Sequence, residues 1–273
     1  MKFWTDFRPA TGALTALVLF LAVGAAAQTT NVLSDAEIQG HQLAQQLCEA
    51  RPVENFTNTG ILQIRGGNGN RTNIPVKFKV IVTADDWRSV YEIIQTNVFV
   101  TGESYPTLEK LFISHNESQT NNYRDEIYTG DIFATRGHRH TTGVIGMRSG
   151  NELNQSFAGS DFWLCDLGLE FFHWPAQKVL PKTTNLKRGR DYTLLESTNP
   201  NPATNGYSRV LSWIDKETGG ILAAEAYDYN GRLLKEFAPK SFKKVNGQWE
   251  LQEMEIDNGQ TGSRTRLEFD LQK

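Results

Sequence analysis

The chain has 273 residues, of which 39% are hydrophobic and 22% charged, a balance that fits a globular protein with a sizeable core and not a disordered chain. Its formal charge is only −3 and no long basic run occurs, which argues against nucleic acid as a partner.

Residues 1–27 read as a signal peptide. Lys2 and Arg8 precede the apolar run 14–23, which is too short to span a bilayer comfortably, and Gly24-Ala25-Ala26-Ala27 offers the A-x-A pattern of a cleavage site. The competing reading is an uncleaved anchor. Cleavage near Ala27 leaves residues 28–273 as one domain in the periplasm. It also removes two cations and one anion, taking the charge to −4. No cysteine stands near the cleavage site for lipid attachment, so a mature chain free in solution is expected. Cys48 and Cys165 would then lie in an oxidising compartment, either bridged or as two free thiols.

Ser34-Asp35-Ala36-Glu37 is a capping box, and Ile38, Leu43, Ala44 and Leu47 follow at helical spacing, so a helix is expected to end before Pro52. Strands follow. Residues 60–65 open the series, and in 74–82 Val76, Phe78, Val80 and Val82 alternate with Lys77 and Lys79, one face buried and one wet. Weaker runs at 89–96, 108–114, 127–135 and 140–147 continue an antiparallel meander. Residues 161–174 are dense in aromatic and aliphatic side chains before Pro175, which predicts a short helix. Beyond strand 192–196 and the loop 198–202, strands are expected at 206–215, 221–229, 232–243, 249–257 and 265–271. Asn230-Gly231 and Asn246-Gly247 predict type I′ hairpins among them. About eleven strands and two helical segments make a mainly β fold. The expected architecture is a single strongly curved antiparallel sheet forming an unclosed β-barrel covered by helical lid segments.

Three segments resemble the outer membrane lipoprotein-sorting protein family, within the LolA/LolB-like superfamily of periplasmic lipid and lipoprotein carriers. Gly159-Ser160-Asp161-Phe162 matches the start of a GSDF-S-Y-E-D-L pattern, although Trp163, Leu164 and Cys165 replace the polar residues that should precede Asp166 and Leu167. Ser212-Trp213-Ile214-Asp215 is followed by 226–235, which reads AYDYNGRLLK. Trp249, Glu253-Met254 and Asn258 occupy the slot of a strand ending in an Asn-rich turn. The resemblance implies an unclosed barrel with an apolar concave face, acyl chains held between sheet and helices, and no cofactor. Its partners would be a lipid or lipoprotein and inner- or outer-membrane transport components, with the carrier itself a monomer.

Pattern nominates Val76, Phe78, Val80, Phe162, Trp163, Phe171 and Phe172 as lining or lid residues. Each could equally be ordinary core. His138 and His140 would share one face of a strand, yet Arg136, Arg139 and Arg148 oppose a cation and no third ligand is evident, so no metal site is assigned. The chain has no G-x-S-x-G elbow, no H-E-x-x-H, no P-loop and no dinucleotide fingerprint, and no catalytic residues are assigned. Gly66-Gly67-Asn68-Gly69-Asn70 links two predicted strands and reads as a hairpin loop, and Asp85-Asp86 as solvated turn residues. A carrier is therefore the leading expectation, a protein-binding accessory of an envelope export system the second, and a metal-dependent envelope enzyme the third.

Overall fold

The computed structural model describes residues 33–100, 103–129, 142–245 and 248–271. The predicted signal peptide, His138, His140 and the Asn246-Gly247 turn lie outside them. Among the described residues no helix is long and apolar enough to cross a membrane.

Helix α1 (Asp35–Glu49) starts at the foreseen capping box: the Glu37 amide donates to Ser34 Oγ at 3.4 Å, and the Ser34 amide donates to Glu37 Oε2 at 2.7 Å. These bonds occupy orphan donors of the first turn. The helix ends ahead of Pro52 and buries Gly40 and Ala44 on its inner side.

Among the described residues thirteen strands follow: β1 (Phe56–Arg65), β2 (Arg71–Val82), β3 (Trp87–Val100), β4 (Glu103–His115), β5 (Asn122–Thr129), β6 (Thr142–Arg148), β7 (Ala176–Leu180), β8 (Tyr192–Thr198), β9 (Tyr207–Asp215), β10 (Ile221–Asp228), β11 (Leu233–Val245), β12 (Gln248–Asn258) and β13 (Ser263–Phe269). All belong to one antiparallel sheet that does not close. It consists of two meanders, β1 to β6 and β7 to β13, with β6 and β7 as its two edges. The meanders join where β1 pairs β13, with Leu62 opposite Leu267 and Gly60 opposite Phe269.

This topology explains the segment between them. The chain leaves one edge at β6 and must reach the other at β7, so residues 149–175 cross the face of the sheet. That crossing is the cover. A single helix over 161–174 is not what forms there: the cover contains 3-10 turns at Gly150–Asn154, Phe157–Gly159 and Glu170–His173, with one α-helical turn, α2 (Leu164–Leu167). The break falls at Leu169, which adopts φ 52°, ψ 39°, left-handed values that end helical propagation and cost a residue with a Cβ roughly 1–2 kcal/mol.

Strand β7 was not foreseen; at five residues it is short, and two of its side chains are exposed. The Asn230-Gly231 hairpin also differs from expectation. Gly231 has φ +74°, but Asn230 is not left-handed, so the turn is not type I′. Asp228 and Arg232 pair across it, with a bulge at Ala226/Tyr227 absorbing the extra residue.

The main core lies between the cover and the inner face of the sheet. Leu62, Ile93, Leu111, Ile113 and Tyr123 of the first meander and Tyr207, Val210, Ile256 and Leu267 of the second meet Phe157, Phe162, Phe171 and Phe172 of the cover. A smaller cluster on the outer face gathers Tyr192, Leu194, Trp213 and Ala223, where the Lys187 ammonium sits 3.8 Å from the Trp213 ring.

Candidate functional site

The second meander supplies the floor of the site. Antiparallel register sets Val210, Ala226, Lys235 and Asn258 in one row, and Ser212, Ala224, Phe237 and Ile256 in the next. Side chains directly opposite on neighbouring strands share a face. The two alanines leave room that Lys235 and Phe237 enter from the adjoining strand.

A cavity of about 20 Å³ lies between this floor and the cover, lined by Val210, Ala224, Ala226, Lys235, Phe237 and Ile256 below and by Asp166, Leu169 and Phe171 above, with Tyr207 at its side. That is room for about one water molecule.

One charge is buried there. Lys235 is 1% exposed, with Nζ 3.2 Å from Asp166 Oδ2, 3.5 Å from the centre of the Trp163 ring and 5.2 Å from that of Tyr207. The two rings stack at 4.6 Å. Burial holds the Lys235 ammonium below the usual lysine range while Asp166 pulls the other way. Asp166 is fully engaged: it accepts from the Trp163 amide at 2.8 Å and from the Tyr207 hydroxyl at 2.9 and 3.1 Å. Burial, followed by the Asp166 charge, pushes the Tyr207 phenol well above its ordinary range, so the hydroxyl stays a donor. In the neighbouring row Ser212 is completely buried and its hydroxyl has no partner among the described residues.

Two further carboxylates hold the cover. Asp161 accepts from Ser263 Oγ at 2.5 Å and Thr265 Oγ1 at 2.9 Å on β13. Glu170 accepts from the Tyr123 hydroxyl at 3.0 Å and the Asn121 amide at 3.4 Å, while Asn121 Nδ2 donates to the Gly168 carbonyl at 2.8 Å. The cover is thus tied to the sheet by three acidic side chains at three separate places, with apolar surface between them.

Burial raises the Glu170 carboxyl to about 7, and Glu109, which accepts from the Ala158 backbone of the cover, is raised to about 7 by burial and by Asp125. A carboxyl whose folded-state pKa lies above its unfolded one binds more protons when folded, so stability falls as pH rises through the interval between them. Burial depresses His115, to about 4, and His173, so these act in the opposite sense but only below about pH 6.5. Unfolding free energy is therefore expected to be higher at pH 6.5 than at pH 8, by about 1 kcal/mol. Thermal midpoints at the two pH values check this, and Glu170→Gln should shrink the difference. An unchanged difference would mean that Glu170 does not titrate there.

Of the nominated lining residues, Phe171 alone borders the cavity. Trp163 is half-buried against Lys235 and Tyr207. Phe162 and Phe172 are core residues of the cover, 1% and 4% exposed. Val76, Phe78 and Val80 sit on β2 in the other meander; Phe78 packs its ring 4.7 Å from Tyr91 and 5.5 Å from Phe269. Lys235, Tyr207, Ala224 and Ala226 were missed. The available signal was a lysine in an inward position of a strand, at the end of the AYDYNGRLLK segment. Of the two states left open for the cysteines, the structure has free thiols: Cys165 is buried, and Cys48 lies 3.7 Å from His173 Nδ1. Burial pushes the Cys48 thiol up to about 11, which leaves it a poor nucleophile.

Comparison with known proteins agrees with this architecture. A family model described as an uncharacterized protein matches residues 142–272, which hold the cover and the whole second meander. No curated protein matches the sequence. Among solved structures, a DUF1329 family protein from Desulfovibrio piger is similar at a TM-score of 0.63 and 20% identity, covering 87% of this chain and 92% of its own. A putative outer membrane lipoprotein-sorting protein domain from Vibrio parahaemolyticus gives 0.60 at 20% identity, covering 86% and 92%. A LolA superfamily protein from Nitrosomonas europaea gives 0.50 at 14% identity, covering 87% and 93%. With its open thirteen-stranded antiparallel sheet, the chain has the fold of these LolA-like and lipoprotein-sorting proteins.

Proposed function

We propose that the protein is a periplasmic carrier, exported by the signal peptide at residues 1–27, that binds acyl chains of a lipid or lipoprotein between the sheet and its cover and moves them toward the outer membrane. The observation that carries this reading is the cover itself. An apolar sheet face is overlaid by a segment with only one α-helical turn, left-handed at Ala158 and Leu169, and held at three places by polar side chains. The ties at Asp161 and Glu170 can be exchanged for water at about 1.5–3 kcal/mol each, the net worth of a hydrogen bond to a charged group, while parting Lys235 from Asp166 costs more. Once the cover moves, the apolar surface beneath gains about 25 cal/mol for each Å² an acyl chain buries. Similarity in fold to a lipoprotein-sorting domain and a LolA superfamily protein supports the reading.

Native purification of the chain from residue 28, followed by organic extraction and mass spectrometry, tests it. Stoichiometric acyl species are expected. A lipid-free protein that also fails to take up long-chain ligands overturns the carrier.

A different observation favours a protein-binding accessory. Edge strand β6 leaves Val144, Ile145 and Met147 62%, 61% and 64% exposed, while the opposite edge β7 is packed under α1. An unguarded apolar edge is a template for a partner's strand.

A further inference from the structure

Lys235 and Asp166 stand on opposite sides of the proposed acyl site, the lysine on the floor and the carboxylate on the cover. Resting on the carrier reading, we propose that Asp166 is a built-in stand-in for the ligand's head group, so that the site selects acyl compounds bearing an anion, a carboxylate or a phosphate, over neutral ones.

The argument starts from size. A cavity of about 20 Å³ holds no acyl chain, so a chain enters only where the cover leaves, and Asp166 and Trp163 leave with it. Lys235 stays. It is fixed on the middle of β11 between Ala226 and Asn258, and because the cover is what buries its ammonium, an acyl chain that takes the cover's place buries it again. Opening therefore takes away its counter-charge and the better of its two aromatic faces together. An unpaired buried cation is expensive, whereas an anion arriving with the ligand restores the pair. A neutral alcohol or ester offers only a dipole. The remaining polar group at the site suits an anion as well: the Tyr207 hydroxyl, freed from Asp166, is a donor. Around it Val210, Ala224 and Phe237 supply apolar wall for the chain.

The test is a native mass spectrometry titration of the delipidated mature chain with palmitate, hexadecyl phosphate and hexadecanol, which share a chain and differ in head group. Both anions are expected to bind roughly 10- to 100-fold more tightly than the alcohol, the range of one charge-assisted hydrogen bond. If only one anion shows the preference, it identifies the head group. Lys235→Met combined with Asp166→Asn removes both charges without stranding either, so it should fold, bind the alcohol, and lose the preference. Equal binding of all three ligands, or a preference that survives in the double variant, overturns the inference and leaves the carrier standing. Binding of none of them overturns the carrier too.

Discussion

Asp166→Asn is expected to lower the unfolding free energy by about 3–5 kcal/mol, because it leaves the Lys235 ammonium buried without a counter-charge. An asparagine oxygen at the Oδ2 position still caps α2 and still accepts from Tyr207, so neither the cap nor shape accounts for most of the loss. For a domain of this size the midpoint should fall by about 10 °C. Adding Lys235→Met to the same chain should recover most of it, since an apolar side chain of similar length suits a pocket walled by Val210, Ala226 and Trp163. The coupling energy from the four proteins should exceed about 2 kcal/mol, read by thermal or denaturant unfolding. Additive effects would mean that the pair is solvated in solution and that the burial described here does not hold there.

The second large effect is expected at Gly40→Ala. Helix α1 lies against the backbone of β7 so closely that a Cβ at position 40 would sit 2.5 Å from Lys178 Cα and 2.6 Å from the Gln177 carbonyl carbon. Backbone cannot step aside as a side chain does. The helix must lift off by an ångström or more, loosening Ala44 and the neighbouring Leu43 and Leu47 from the core. A loss of about 2–4 kcal/mol is expected, against a gain below about 1 kcal/mol from helix propensity. Hydrogen exchange should show β7 amides losing protection, since α1 guards that edge. The control is Gln45→Ala, on the exposed side of the same helix, which should be nearly silent. If Gly40→Ala is equally silent, the helix does not dock on β7 as described.

Much of the sheet was legible because its strands announce themselves locally. Alternation in 74–82 has one wet face carrying Lys77 and a buried one carrying Val76 and Val80, and the capping box at Ser34 works through residues three apart. What escaped depends on distant contacts. Strand β7 is a strand because β8 pairs it and α1 covers it, not because of its five residues. The cover looked like a helix from its apolar density, yet its shape answers to Asp161, Asp166 and Glu170 finding partners 41 to 104 residues away in sequence. The site escaped for the same reason. Large aromatic residues drew attention to 162–172, whereas the floor is made by alanines, and Lys235 becomes exceptional only when Ala226 on one side and Asn258 on the other place it under Trp163.

The seam between β1 and β13 also sets an order of assembly. Each meander can zip up from hairpins of near neighbours, but the halves join only when a strand near the C-terminus reaches one near the N-terminus, Gly60 against Phe269. Pairing of such high sequence separation is slow, and the chain that precedes it carries unfilled edges. During synthesis the first meander must therefore wait, with β1 unpaired on one side, until β13 emerges. A chain that stops short of β13 would be two half-sheets bridged by the cover, which makes the final strand the step on which escape from aggregation turns.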